Sequence, residues 1–303
     1  MPLWLKHAKW PSKAPGAALV LWQAIGISGG LALVTAPLTW GLQPFGPGIV
    51  PALVELWQIF QSQGVNAVLT DPRWHPFGLA AMTLGLLLFG HLFLVLVHTA
   101  YRTFRQRKKH REFVEILAAS VKEEHGLNQA VSKSTRILPV EHPLAYCLPA
   151  INQPLTVVSQ GLLEELTSDE LAAVLAHESA HLTQRHDLLR LAFEAWHKAA
   201  PWFPATGVAV QEVTELTEIM ADDSALVAHS RHDLTAALAL TAPESGDQPA
   251  SHAQGPTAAD SEVVSRRIKR LTDPEKPMGS CKVGLVIITA GLLVTVPAAI
   301  SLI

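Results

Sequence analysis

The chain has 303 residues, of which 49% are hydrophobic and only 16% charged, with a formal net charge of −3. That balance excludes an ordinary soluble protein of this length. Two cysteines far apart in sequence, Cys147 and Cys281, exclude a disulfide scaffold and suit a reducing compartment.

The apolar excess is concentrated in three places. Residues 17–40 carry no charge, residues 78–101 none apart from His91 and His98, and residues 283–303 none. Each stretch is long enough to cross about 30 Å of hydrocarbon as a helix. The first is no cleavable signal peptide, because its apolar part is too long and no clear A-x-A site follows. Lys6, Lys9 and Lys13 precede the first span, and six basic residues from Arg102 to Arg111 follow the second. Six more, from Arg266 to Lys282, precede the third, whereas residues 41–77 hold only Arg73. The positive-inside rule then places the N-terminus inside and the C-terminus outside, with residues 102–282 cytosolic. The basic run after the second span reads as a topology determinant at the headgroups, not as a nucleic-acid site. His91 and His98, seven apart on one face, are expected to be neutral and hydrogen-bonded within the bundle.

Between the first two spans, residues 50–63 are expected to form an interfacial helix on the outer side. Residues 112–125 predict a soluble amphipathic helix stopped by Gly126. Three short β-favouring runs follow at 137–140, 145–148 and 155–159, separated by Pro and Asn. They predict a small sheet.

Thr167-Ser168-Asp169-Glu170 has the form of a capping box, and Leu171, Val174, Leu175 and Leu182 recur at helical spacing after it. Within this helix lies His177-Glu178-Ser179-Ala180-His181, an H-E-x-x-H pattern. Residues four apart share a helix face, so both imidazoles can reach one metal. Zinc favours such ligands and keeps one position for water in catalytic sites; Glu178 stands beside it to take the proton. A third ligand is required. Asp187 has the position that one zincin pattern uses, but that pattern needs a glycine where Gln184 stands, and it is rejected. Glu218 is the better candidate, with Asp222 four residues on as an acceptor that holds a ligand histidine. Cys147 has no accompanying cysteine or histidine pattern that would make it a ligand.

Residues 188–210, with Trp196, Trp202 and Phe203 and broken by Pro201 and Pro204, leave two readings open: a helical hairpin dipping into the inner leaflet, or an ordinary buried hairpin. Residues 241–260, rich in Pro, Gly, Ser, Gln and Ala, are expected to be a flexible insertion.

These residues resemble the membrane gluzincin metallopeptidases. The likeness is strongest to the peptidase family of the β-lactam sensor-transducers in a short form, with the heat-shock membrane protease and CAAX prenyl protease families related. It runs through residues 145–149, 157–163, 168–171, 177–181, 185–187 and 218–223. It implies zinc on His177, His181 and Glu218, with Glu178 as general base. It also implies substrate pairing as a strand on the sheet edge, and a role for Arg267 near the site through the late element Arg267-Ile268-Lys269-Arg270-Leu271. Tyr146, His229 and His232 are unranked candidates for stabilising the oxyanion or touching substrate. The chain ends without the extracellular ligand-binding domain of the sensor-transducers, so antibiotic sensing is not carried over.

The expected protein is thus mainly α: a membrane region at 1–101, a cytosolic α+β zincin-like domain at 102–282 and a last span at 283–303. The expected activity is zinc-dependent endopeptidolysis at the cytosolic face of a bacterial inner membrane. Its expected partners are a protein or peptide substrate and the lipid bilayer, without direct nucleic-acid binding. Candidate substrates are a membrane protein or a helix-turn-helix repressor functionally linked to it. The alternative is a membrane-anchored metal-binding signalling scaffold without catalysis.

Overall fold

The computed structural model describes residues 5–125, 135–149, 154–241 and 258–303. After one 3-10 turn, Pro11–Lys13, helix α1 (Pro15–Leu42) opens on a proline, whose missing N–H costs nothing in a first turn. The segment between the first two candidate spans holds α2 (Ile49–Gln63) and the short α3 (Val65–Leu69). They divide at Gly64, whose φ of 83° favours glycine. Helix α4 (Pro76–His125) corrects the expectation of two separate helices at 78–101 and 112–125: they are one element of 50 residues. Residues 102–111 contain neither glycine nor proline, and their long basic side chains are good helix formers, so nothing breaks the helix. The boundary drawn between residues 101 and 102 therefore falls inside an element. Gly126, the expected stop, lies outside the described residues.

Strand β1 (Thr135–Leu138) lies two residues earlier than expected, because Pro139 has no N–H to extend the ladder. Strands β2 (Ala145–Leu148) and β3 (Leu155–Ser159) occupy the expected positions. The order is β1-β3-β2, with β1 parallel and β2 antiparallel to the central β3. One face packs Leu148, Leu155 and Val157 on Val114 of α4; the other packs Ala145 and Val158 on the next helices. A short helix α5 (Gln160–Glu165) follows, capped by Ser159, and a Cβ at Gly161 would overlap the Glu141 carbonyl.

Helix α6 (Ser168–Thr183) carries the histidine motif. Arg185, at φ 51°, makes the sharp turn into α7 (His186–Ala199), which a second turn joins to α8 (Pro204–Ala225). Then come α9 (Arg231–Thr241), α10 (Ala258–Thr272) and α11 (Ser280–Leu302). The expected flexible insertion lies largely outside the described residues, but the chain is helical again from Ala258.

Helices α1, α4 and α11 are long and apolar enough to cross a membrane, and α1 packs along both of the others. The α7–α8 hairpin has a buried flank and a bare tip. Its flank is buried against α1, where Trp22, Phe193, Ala209 and Val213 share one cluster and Gly26 and Gly29 face the rings of Phe193 and Trp196. Its tip is bare: Trp202 is 70% and Phe203 50% exposed. His91 on α4 donates from Nε2 to the Ala199 carbonyl at 3.0 Å, so the tip lies beside the middle of that apolar stretch. His91 and His98 are both exposed on α4, so neither lies inside the bundle as expected, although His91 makes this one bond.

Candidate active site

The site is built where α6 crosses α8. The capping box that starts α6 is formed: Thr167 N–H donates to Glu170 Oε2 at 2.9 Å and Glu170 N–H to Thr167 Oγ1 at 3.4 Å. With the start set, helical periodicity puts His177 and His181 on one face, and α8 brings Glu218 opposite. His177 Nε2 and His181 Nε2 are 3.2 Å apart, and each lies 3.4 Å from a Glu218 oxygen. A tetrahedral cation holding nitrogen and oxygen ligands at about 2.0–2.1 Å needs them about 3.3–3.5 Å apart. Moreover, two imidazole nitrogens this close repel unless a proton or a cation lies between them. The donor set therefore fits a zinc-type ion.

Each donor is held from behind. Asp222 Oδ1 lies 2.9 Å from His177 Nδ1, which leaves Nε2 for a metal. His181 is held through a relay. Gln184 Nε2 donates to Ser224 Oγ at 2.7 Å, so its Oε1 accepts from His186 Nε2–H at 3.0 Å. Neutral His186 then has an acceptor at Nδ1, 2.9 Å from His181 Nδ1–H, and the His181 lone pair is left on Nε2. Burial, with Arg190 nearby, lowers His186 to about 4, so it is neutral as the relay requires. Two guanidiniums grip Glu218: Arg190 Nη2 at 2.6 Å and Arg267 Nη1 at 2.8 Å. Arg267 also forks onto Asp222 through Nε at 2.9 Å and Nη2 at 2.7 Å.

The electrostatics follow from this packing. Burial opposes ionisation of Glu218, but His177, Arg267 and Arg190 hold its carboxyl well below the usual range. Burial also opposes a charge on His177, yet Asp222 and Glu218 outweigh it and keep its pKa at about 9. A cation entering the site must displace that proton. His181 is lowered to about 3, chiefly by burial. Burial pushes Glu178 up to about 7, against the pull of His177 and of the Cys147 backbone amide that hydrogen-bonds it. That is a suitable value for a base that must both take and return a proton near neutrality.

Residues 105–248 match the model of peptidase family M48. The chain carries an M48 metallopeptidase domain. The match spans the histidine motif and Glu218 but stops before Arg267, and it does not carry the more specific likeness to the sensor-transducer peptidases. No curated protein and no solved structure matches the chain.

In this M48 domain the sequence-derived candidates separate cleanly. His177, His181, Glu218, Glu178, Asp222 and Arg267 converge on one point. Tyr146 does not. Strand alternation turns it to the α4 side of the sheet, where its hydroxyl meets His110 Nε2 at 2.9 Å. His232 sits 3.5 Å from Asp233, and neither it nor His229 touches the triad among the described residues. Asp187 is taken by Arg107 at 2.6 Å. Cys147 remains a thiol, pushed up to about 11 by burial. Sequence reasoning assigned no role to Arg190 or His186. The only trace of His186 was its place in the Arg185-His186-Asp187 stretch, because five residues from His181 is not a shared helix face; the left-handed turn at Arg185 brings it back.

Proposed function

We propose that this chain is a zinc-dependent endopeptidase of a bacterial inner membrane, acting on a protein substrate at the cytosolic face. The observation that carries the reading is the triangle of His177, His181 and Glu218 donors with Glu178 beside it. Zinc bound there supplies Lewis acidity, which polarises the scissile carbonyl and makes water a nucleophile near neutral pH. Glu178 takes the proton of the attacking water and returns it to the leaving amine. Asp222 and His186 hold the two imidazoles in the tautomers that face the triangle. The Cys147 amide, on the outer strand β2, steadies the Glu178 carboxylate. A non-catalytic metal scaffold would have no use for a base at Glu178.

The experiment is metal analysis of the purified full-length protein with peptide turnover. Wild type should hold about one zinc per chain. Removal by a chelator should abolish hydrolysis and zinc return should restore it. Glu218→Ala should lose both metal and activity. Full zinc occupancy in that variant would mean that another residue closes the site.

Substrates are expected near the membrane. The hairpin that joins the histidine helix to Glu218 lies against α1 and α4, with Trp202 and Phe203 bare at its tip beside the apolar stretch of α4, where lipid would cover them. The orientation rests on the lysine and arginine asymmetry. A reporter fused after Ile303 should read outside, and one inserted after Pro274, between α10 and α11, should read cytosol. The reverse pattern would put the peptidase on the other face of the membrane.

A further inference from the structure

Away from the metal triangle, the molecule has a cavity of about 450 Å³ on a neighbouring face of α8. Its walls come from five parts of the chain: the segment before α1, the Glu212–Asp223 face of α8, the start of α9 at Arg231, the end of α10, and the linker that leads to α11. Two of these walls are the residues immediately ahead of candidate spans, so the cavity opens at the level of the headgroups. It is a ligand-sized space.

Its charge is out of balance. Arg266 is matched by Glu215 at 2.6 Å, Arg270 by Asp223 at 2.6 Å and Lys13 by Glu275 at 3.3 Å. Lys6, Lys9, Arg231 and Lys269 also line the cavity and make no ion pair among the described residues. The carboxylates left to oppose them are Glu212 and Asp273. Burial, with Glu215 beside it, pushes Glu212 up to about 7, so its negative charge is weakened near neutral pH.

We propose that this cavity binds a phosphate group carried on a small polar head, as in the headgroup of an anionic phospholipid. Lysine ammoniums supply point charges to phosphate oxygens, and the guanidinium of Arg231 adds planar donors at the same cavity. The occupant would tie the segment ahead of the first span to α8 and α10. Those two helices present Glu218 and Arg267 to the metal triangle from their other faces. The bound headgroup thus clasps the peptidase domain onto the membrane that the spans cross.

The test uses full-length protein in nanodiscs of phosphatidylcholine with increasing phosphatidylglycerol, and lipid retention read by native mass spectrometry. Inorganic phosphate and glycerol 3-phosphate serve as soluble probes. Saturable retention of phosphatidylglycerol is expected, weakened at least tenfold in Lys6→Gln/Lys9→Gln/Lys269→Gln. These side chains are exposed, so the fold should survive; if it does not, Lys9→Glu alone reads the same site. The control Arg105→Gln/Lys108→Gln/Lys109→Gln removes as many charges on α4 and should change retention less than twofold. Competition by glycerol 3-phosphate with the same lysine dependence would support the site with a soluble phosphate ester as its occupant. Equal weakening by both triple variants, or no lysine dependence for any probe, would overturn the proposal.

Discussion

Glu178→Gln should keep its zinc and lose nearly all peptide hydrolysis, with kcat falling about 10²–10⁴-fold. The amide has the size and shape of the carboxylate but cannot accept a proton. The substitution leaves His177, His181 and Glu218 untouched, together with the Asp222, His186 and Arg190 contacts behind them. Metal content and turnover measured on one preparation therefore separate the base from the ligands. The acid limb of the wild-type pH profile should report Glu178. Its midpoint should lie below about 7, because a cation bound beside a carboxylate favours the ionised form. A Glu178→Gln protein that turns over peptide at the wild-type rate would sink the base assignment. One that has lost its zinc would show that Glu178 serves the metal site and not proton transfer.

Arg267→Ala should be the most destabilising single change near the site. Arg267 is 7% exposed and pairs with both Asp222 and Glu218. Without it, the buried Asp222 and the partly buried Glu218, one turn apart on α8, keep only His177 and Arg190 as positive partners. Breaking a buried ion pair from one side costs about 3–5 kcal/mol. The loss should be largest in metal-free protein, since a bound cation returns positive charge to Glu218. Thermal unfolding of the full-length protein in detergent, with and without zinc, should show a drop on the order of 10 °C in the apo form and a smaller one with metal. Arg267→Lys should fall between, because it keeps the charge and loses the fork. Apo Arg267→Ala melting with wild type would mean that the buried cluster is not held by this pair.

What could be read without a structure was what short-range geometry dictates. His177 and His181 face one way because a helix repeats every 3.6 residues, and Thr167 with Glu170 starts that helix wherever it lies in the fold. The same holds for Glu218 and Asp222 on α8. Uncharged runs as long as a bilayer is thick disclose the three candidate spans, since apolarity and length are local properties. Strands β2 and β3 were visible for the same reason, their β-favouring runs being bounded by Pro and Asn.

Tertiary structure decided everything that depends on who meets whom. Hydrophobic pattern marks strands but carries no pairing order, so the central place of β3 emerges only on folding. The fusion of the second apolar stretch with the amphipathic helix depended on the absence of any breaker, and the expected boundary ignored that. Tyr146 looked like a site residue by its neighbours in sequence, yet strand alternation sends it to the other side of the sheet. Arg190 reaches Glu218 across 28 positions and Arg267 reaches Asp222 across 45. Such pairs form because a charge buried by packing must find a partner, and which partner lies within reach is settled by how α7, α8 and α10 cross. The sequence by itself therefore determined the ligand-bearing faces and the apolar lengths, both products of local helix geometry. Packing determined the contacts behind those faces that bring His177, His181 and Glu218 together.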